Sequence, residues 1–378
     1  MISLGGKTIF QHCKRFKTFF VRNFYQSAII MADESKRIKT DNDAEVYIGT
    51  HNGTFHCDEV VGCFMLRQLP EYKNAKILRS RDIELLRNKC DIIIDVGGEF
   101  DNSRKWYDHH QKTFQETLSS LRPELGNEFK IRLSSAGLVY TFYGERIIDE
   151  ILRHHADINL SKNNLQLVFK QIYKNFILEI DAIDNGVPMF DDGVEPKYDI
   201  STSLSSRISR LNPSWDEDKQ NIDEKFFKAM DVAGKEFVEN VINIGKSWIN
   251  AREYVREALL SATKVHESGE ILLLKRFCPW KVHLANLEIE YNLVGVPKLV
   301  IFSENEQSWR IAGVPISPRS FLGRKFLPIP WRGLNNDDLS SIAGVSDLVF
   351  VHHTGFIGGA KTKESALQMA IKSIQWKD

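Results

Sequence analysis

The stretch from Glu45 to Leu69 constrains the fold more than any other. Glu45-Val46-Tyr47-Ile48-Gly49-Thr50 alternates as a strand does. The loop His51-Asn52-Gly53-Thr54-Phe55-His56-Cys57-Asp58-Glu59 follows at once. Val60 to Leu69 then reads as a helix, closed by Pro70. In open α/β sheets ligands bind at the carboxyl ends of strands, and helix amino ends favour anions such as phosphate. His51, His56 and Asp58 fall in that gap. Helix capping would explain Asp58 alone. It does not explain two histidines beside it.

The pattern recurs downstream. Lys76-Ile77-Leu78 reads as a second strand and Ile92-Ile93-Ile94 as a third, ending in Asp95 before Val96-Gly97-Gly98. As a bland alternative, Asp95 is a turn residue. Next comes Trp106-Tyr107-Asp108-His109-His110-Gln111. Carboxylates and neutral imidazoles suit divalent metals, although an isolated Asp-His-His is more commonly structural. The sequence predicts a helix starting at Leu133-Ser134-Ser135-Ala136-Gly137, with Ser134 or Ser135 as its cap. Another helix is predicted over about 163–180, delivering Asp181 and Asp184 before the turn pair Asn185-Gly186.

Alternating strands and helices with acids at strand ends predict a parallel α/β domain over residues 44–210. Residues 211–265 read as a connecting helical segment, because Phe226, Met230, Ala233, Phe237, Val241, Ile244 and Trp248 recur at helical spacing. From about residue 266 short strand-like runs predict a second, smaller α/β domain to residue 378. Its end, His352-His353-Thr354-Gly355-Phe356-Ile357-Gly358-Gly359-Ala360-Lys361, precedes a helix over about 364–374. Glycines before a helix, flanked by His353 and Lys361, can wrap an anion, although a Gly-Gly pair is more often just a turn.

Composition narrows the class. The 378 residues carry 50 Lys+Arg against 50 Asp+Glu, so any nucleic-acid role needs a local basic surface. Arg319, Arg324, Lys325 and Arg332 are the candidates, with scattered surface charge as the alternative. No apolar run approaches the roughly 20 residues of a membrane span. The cysteines are five, Cys13, Cys57, Cys63, Cys90 and Cys278, without a Cys-x-x-Cys pair, which argues against a disulfide framework or zinc ribbon. Met1 to Ile30 lacks Asp and Glu but alternates Lys and Arg with Phe, the composition of a mitochondrial presequence. Met31 could serve as a second start, and the basic cluster after it is a weak nuclear signal. Residues 1–43 are therefore read as a targeting segment and linker outside the fold.

Taken together, His-Asn-Gly-Thr-Phe-His-Cys-Asp-Glu, Asp-Val-Gly-Gly, Tyr-Asp-His-His-Gln, Leu-Ser-Ser-Ala-Gly-Leu-Val-Tyr, Pro-Trp-Arg-Gly-Leu and His-His-Thr-Gly-Phe-Ile-Gly-Gly resemble the melanocyte-proliferating-gene-one family. The motifs run in order from about Glu45 to the C-terminus. That family is similar to the DHH phosphoesterases. The resemblance implies a DHH-type catalytic domain, a substrate-binding domain and a 3′-to-5′ exonuclease acting on single-stranded RNA in nucleus (including the nucleolus) and mitochondrial matrix. It implies two divalent ions, Mn²⁺ with Mg²⁺ or Zn²⁺ as alternatives, held by His51, His56, Asp58, Asp95, His109 and Asp184. His56 stands where the DHH pattern has an acid, and its imidazole softens that site toward Zn²⁺. Asp108 would orient its neighbours and His110 would face the phosphate. His353, Gly358, Gly359, Lys361 and Arg332 would hold substrate. Cys57 is expected to pack rather than ligate. Two other readings are a hydrolase of pyrophosphate or short dinucleotides, and a non-catalytic RNA- or protein-binding module with a structural metal.

Overall fold

The computed structural model describes residues 45–377, except 192, 218–220 and 306–307. The expected targeting segment, residues 1–43, and Cys13 lie outside the described residues. The chain is α/β, built on two five-stranded sheets.

The first sheet uses β1 (Tyr47–Thr50), β2 (Lys76–Arg79), β3 (Ile92–Ile94), β4 (Phe100–Asp101) and β5 (Trp106–Tyr107), in the order β2-β1-β3-β5-β4. α1 (Cys57–Leu66) links β1 to β2, and α2 (Ile83–Lys89) links β2 to β3. The strands β2, β1, β3 and β5 are parallel neighbours. β4 runs antiparallel to β5, so the sheet is mixed, a correction to the all-parallel expectation. The cause is local: Asp101 accepts from the Ser103 N–H at 2.9 Å and Lys105 takes a φ of 60°, which turns the chain straight back. β3 is apolar throughout because it is covered on both faces. Ile93 packs with Leu86 of α2, while Ile94 lies against Gly62 of α1.

α3 (Ser135–Ala156) begins at Ser134, whose hydroxyl accepts from the Gly137 N–H. The helix predicted over 163–180 is α4 (Lys162–Ile172) and α5 (Leu178–Asp184), joined through a π-helical turn at Tyr173–Ile177. The apolar stripe after residue 222 likewise forms α6 (Ile222–Asn243), a π-helical turn at Ile244–Trp248 and α7 (Ile249–Leu260). Its first half belongs to the core around the first sheet. A Cβ on Gly234 of α6 would sit 2.1 Å from the Phe64 ring of α1, so only glycine permits this approach. Gly234→Ala is expected to destabilise the protein by about 1–2 kcal/mol, overpacking outweighing the gain in helix propensity. Urea unfolding measures it, and an unchanged midpoint would refute the close packing.

Val255 and Leu259 of α7 pack instead with Leu284 and Leu287 of α8 (Trp280–Glu290), on one face of the second sheet. That sheet holds β6 (Ile271–Leu273), β7 (Leu299–Asn305), β8 (Ser308–Gly313), β9 (Leu348–Val351) and β10 (Ile357–Ala360), in the order β6-β7-β8-β10-β9. Of its pairings only β6 with β7 is parallel. Leu339 from α9 (Asn336–Ala343) and Met369 from α10 (Lys363–Gln375) pack in the core on its other face.

Here the reading of Gly358 and Gly359 as an anion-wrapping turn is corrected. Both lie inside β10, paired with β8 on one edge and β9 on the other. A Cβ on Gly358 would meet Leu327 and Met369 at 2.7 and 2.8 Å, and one on Gly359 would meet Phe350 at 2.6 Å. The glycines therefore serve close packing. No helix among the described residues is long and apolar enough to cross a membrane.

Candidate metal centre

Every carboxyl end of the parallel strands except that of β2 delivers an acid or a histidine to one place. His51 follows β1, Asp95 follows β3, and Asp108-His109-His110 follow β5. Asp58 and Glu59 stand in the first turn of α1, and Asp184 ends α5. Their ligand atoms fall into three overlapping clusters: His51-His56-Glu59-Asp95, Asp95-His109-His110 and His56-Asp58-Asp184, each with atoms within 4.8 Å of one another. Asp95 and His56 are the shared members, so all six residues expected to ligate are brought together.

Glu59 belongs to this group and was not foreseen. It is fully buried, and its carboxylate accepts from the His56 N–H at 3.0 Å, closing the turn that holds the loop. The signal was legible: a Glu three residues after a helix cap marks a capping box. His51 Nε2 lies 3.1 Å from Glu59 Oε1 and 3.3 Å from Asp95 Oδ2. Asp95 takes a left-handed backbone, φ 57°, which costs an L-residue on the order of 1 kcal/mol and which Asp and Asn tolerate best. Ser135 Oγ donates to its Oδ1 at 3.1 Å. Behind the centre, buried Asp181 accepts from the Ser134 N–H at 2.9 Å, Ser134 Oγ at 2.7 Å and Tyr173 Oη at 2.8 Å. It ties the start of α3 to α5 and so fixes Ser135 and Asp184; sequence alone gave it no role. Burial pushes its carboxyl up to about 7 against those donors.

The donor set fits divalent cations. Both oxygens of Asp58, both ring nitrogens of His109 and Asp184 Oδ2 are buried without a hydrogen-bond partner. His109 Nε2 and Asp184 Oδ2 lie 2.9 Å apart yet out of hydrogen-bonding alignment. Buried polar atoms left unpaired cost roughly 1–3 kcal/mol each, and one cation could satisfy several of these together.

Electrostatics agree. Burial, and then the charges of Asp95, Asp184 and Glu59, push the Asp58 carboxyl well above its ordinary range. Burial would lift Asp95 too, but the His109 and His51 imidazoles beside it outweigh that and hold the carboxyl well below its ordinary range. Burial would lower both histidines, yet Asp95 and Glu59 raise His51 to about 10, while Asp184 and Asp95 raise His109 to about 10.

Asp108 points elsewhere. Its Oδ2 accepts from the Gly98 N–H at 2.5 Å, and its Oδ1 accepts from His110 Nδ1 at 2.6 Å. It aims His110, whose side chain is 62% exposed and whose pKa Asp108 raises. Cys57 belongs to none of the clusters, and burial pushes its thiol up to about 12. His353, Arg332 and Lys361 do not join the metal clusters; they stand at the second sheet, where His353 and Lys361 are exposed beside β10. Arg332 Nε donates to Leu327 O at 3.0 Å. The basic wall is thinner than expected, because Arg324 pairs with Glu288 at 2.5 and 2.8 Å and Lys325 donates to Trp376 O.

Comparison with known proteins places this geometry. The family model MYG1_exonuc, described as "Uncharacterised protein family (UPF0160)", matches residues 47–374. The chain is 45% identical over 336 residues to the MYG1 exonuclease of Rattus norvegicus, covering 89% of this chain and 86% of that one. It is 44% identical over 336 residues to the MYG1 exonuclease of Homo sapiens, covering 89% and 87%. The MYG1 protein of Dictyostelium discoideum is 39% identical over 333 residues, covering 88% and 97%. No solved structure matches. A match over nearly all the described residues, including every residue of the clustered centre, means that this chain belongs to the MYG1 exonuclease family.

Proposed function

We propose that this protein is a metal-dependent exonuclease that hydrolyses single-stranded RNA from 3′ to 5′, using two divalent ions in a DHH-type arrangement, Mn²⁺ first and Mg²⁺ or Zn²⁺ as alternatives. The mammalian relatives carry the name exonuclease, which supports the reaction class. One observation carries the reading: a fully buried, unpartnered carboxylate, Asp58, faces a cluster of ligands that share Asp95 and His56.

His51, His56, Glu59 and Asp95 would hold one ion and Asp95 with His109 the other, with Asp58 and Asp184, which lie together beside His56, completing the set. When bound, such ions supply Lewis-acid activation of water and offset charge on the phosphoryl oxygens. The chain's own part is then positional. Ser135 and the backbone at Asp95 fix the shared carboxylate. His110, aimed by Asp108, which raises its pKa, would face a phosphoryl oxygen. On this reading residues 44–210 form the catalytic domain and residues 266–378 the substrate domain, with exposed His353 and Lys361 as its anion contacts. The places of action would be the mitochondrial matrix and the nucleus.

The test is digestion of end-labelled single-stranded RNA across a panel of divalent ions, with pyrophosphate and a dinucleotide as competing substrates. Stepwise shortening from the 3′ end, abolished by chelator, is expected. Turnover of pyrophosphate alone, or tight RNA binding with no turnover under any ion, would overturn the assignment. A second result follows from the histidines. His51 and His109 are protonated at neutral pH in the metal-free protein and must lose those protons to ligate. Loading with Mn²⁺ at pH 7.5 should release protons from these histidines and from Asp58, and affinity should rise with pH toward about 10. Calorimetry in buffers of different ionisation enthalpy measures the release; none at all would exclude these two ligands.

A further inference from the structure

We propose that Arg81 is the phosphoryl-binding cation of this centre; the inference rests on the phosphodiesterase reading and adds a residue that neither motif nor cluster analysis assigns. Arg81 stands two residues beyond β2, and the Ser80 N–H donates to Thr50 O at 2.8 Å, which carries it alongside His51. Its Nη2 lies 3.4 Å from His51 Nδ1. That nitrogen is also 3.1 Å from Asn52 O, where it donates, leaving Nε2 toward Glu59 and Asp95. A ring nitrogen that donates cannot accept, so the Arg81 guanidinium is beside His51 without being bonded to it.

Nothing else among the described residues engages it. Arg79, two residues earlier, is engaged elsewhere: it pairs with Asp223 at 2.7 Å, donates to Gly53 O at 2.7 Å and covers the Phe226 ring. Asp82, the next residue, caps α2 by accepting from the Leu85 N–H. Arg81 is exposed, and among the described residues no carboxylate lies within ion-pair distance of it. An arginine at the edge of a centre holding four carboxylates, yet pairing with none, is available to an anion brought in by the substrate.

A phosphoryl group with two free oxygens matches the guanidinium fork. The ligand is the scissile diester in the substrate and then the terminal phosphate of the released nucleoside 5′-monophosphate. In hydrolysis the water oxygen bonds to phosphorus and the P–O3′ bond breaks. The 3′-oxygen takes a proton, and Arg81 keeps its own throughout. The product dianion holds more charge than the diester, so Arg81 should also make the enzyme sensitive to its product.

The experiment uses the full-length protein loaded with Mn²⁺. Adenosine 5′-monophosphate and inorganic phosphate are titrated calorimetrically, and Mn²⁺ is titrated into the stripped protein. Arg81→Gln should weaken both phosphate ligands by roughly ten- to a hundredfold, raise KM for RNA and leave Mn²⁺ affinity within about twofold. Arg81→Lys should recover only part, having lost the fork. Unchanged phosphate affinity in Arg81→Gln, or no phosphate binding by the parent protein, overturns the proposal. A parallel fall in Mn²⁺ affinity also overturns it, because Arg81 would then merely support His51. The two readings fail separately. Arg81-dependent phosphate binding without RNA hydrolysis defeats the exonuclease alone. RNA trimming with an indifferent Arg81→Gln defeats only the role of Arg81.

Discussion

Asp95→Asn is expected to slow RNA hydrolysis by roughly a thousandfold or more, about 4 kcal/mol of lost transition-state stabilisation, with divalent-metal affinity falling in parallel. The residue is shared by two of the three ligand clusters, and His51 and His109 both approach its carboxylate. An amide oxygen can occupy one of those directions but not both, and it carries no charge. The substitution is chosen for its backbone. Asp95 sits at φ 57°, which Asn accepts nearly as well as Asp, whereas Ala would add strain and confuse folding with chemistry. Far-ultraviolet circular dichroism should therefore be unchanged. Activity within tenfold of the parent protein would remove Asp95 from the centre and with it the proposed reaction.

How far the sequence could be read depended on whether a signal was local. The strand-loop-helix at 45–69 and the apolar run at 92–94 needed only periodicity and turn chemistry, and both formed near their expected places. That His51, Asp58 and Asp95 lie near one another followed from the rule that parallel strands present their carboxyl ends on one edge, whereas His109 entered only through the family resemblance. What failed were features settled between distant segments. Gly358 and Gly359 read as a turn because nothing nearby reveals that Phe350, Leu327 and Met369 crowd them inside a sheet. The two-residue strands β4 and β5 are too short to show alternation. Asp181 looked like any helix-end acid until Ser134 and Tyr173 converged on it. Arg324 looked free because Glu288 lies 36 residues away.

Asp58→Asn should reverse the usual consequence of damaging an active site, because in the metal-free protein it should be stabilising. Asp58 is fully buried, accepts no hydrogen bond and faces Asp95, Asp184 and Glu59. Its carboxyl is raised above the ordinary 3.8, so folding favours the protonated form. The sign follows: below about pH 4 the group costs nothing, and the penalty grows as pH rises until the folded-state value is passed. The isosteric amide carries no charge to desolvate and removes that cost. Under chelation the variant should therefore be more stable than the parent at pH 7 and indistinguishable from it near pH 4. Mn²⁺ at a hundredfold excess over its dissociation constant should stabilise the parent by about 2.7 kcal/mol and the variant by much less, closing or inverting the gap. Urea unfolding at two pH values, with chelator and with Mn²⁺, gives all four quantities. A variant less stable than the parent at pH 7 under chelation would mean that Asp58 has a partner in the folded protein, and that the space it faces is not built for a cation.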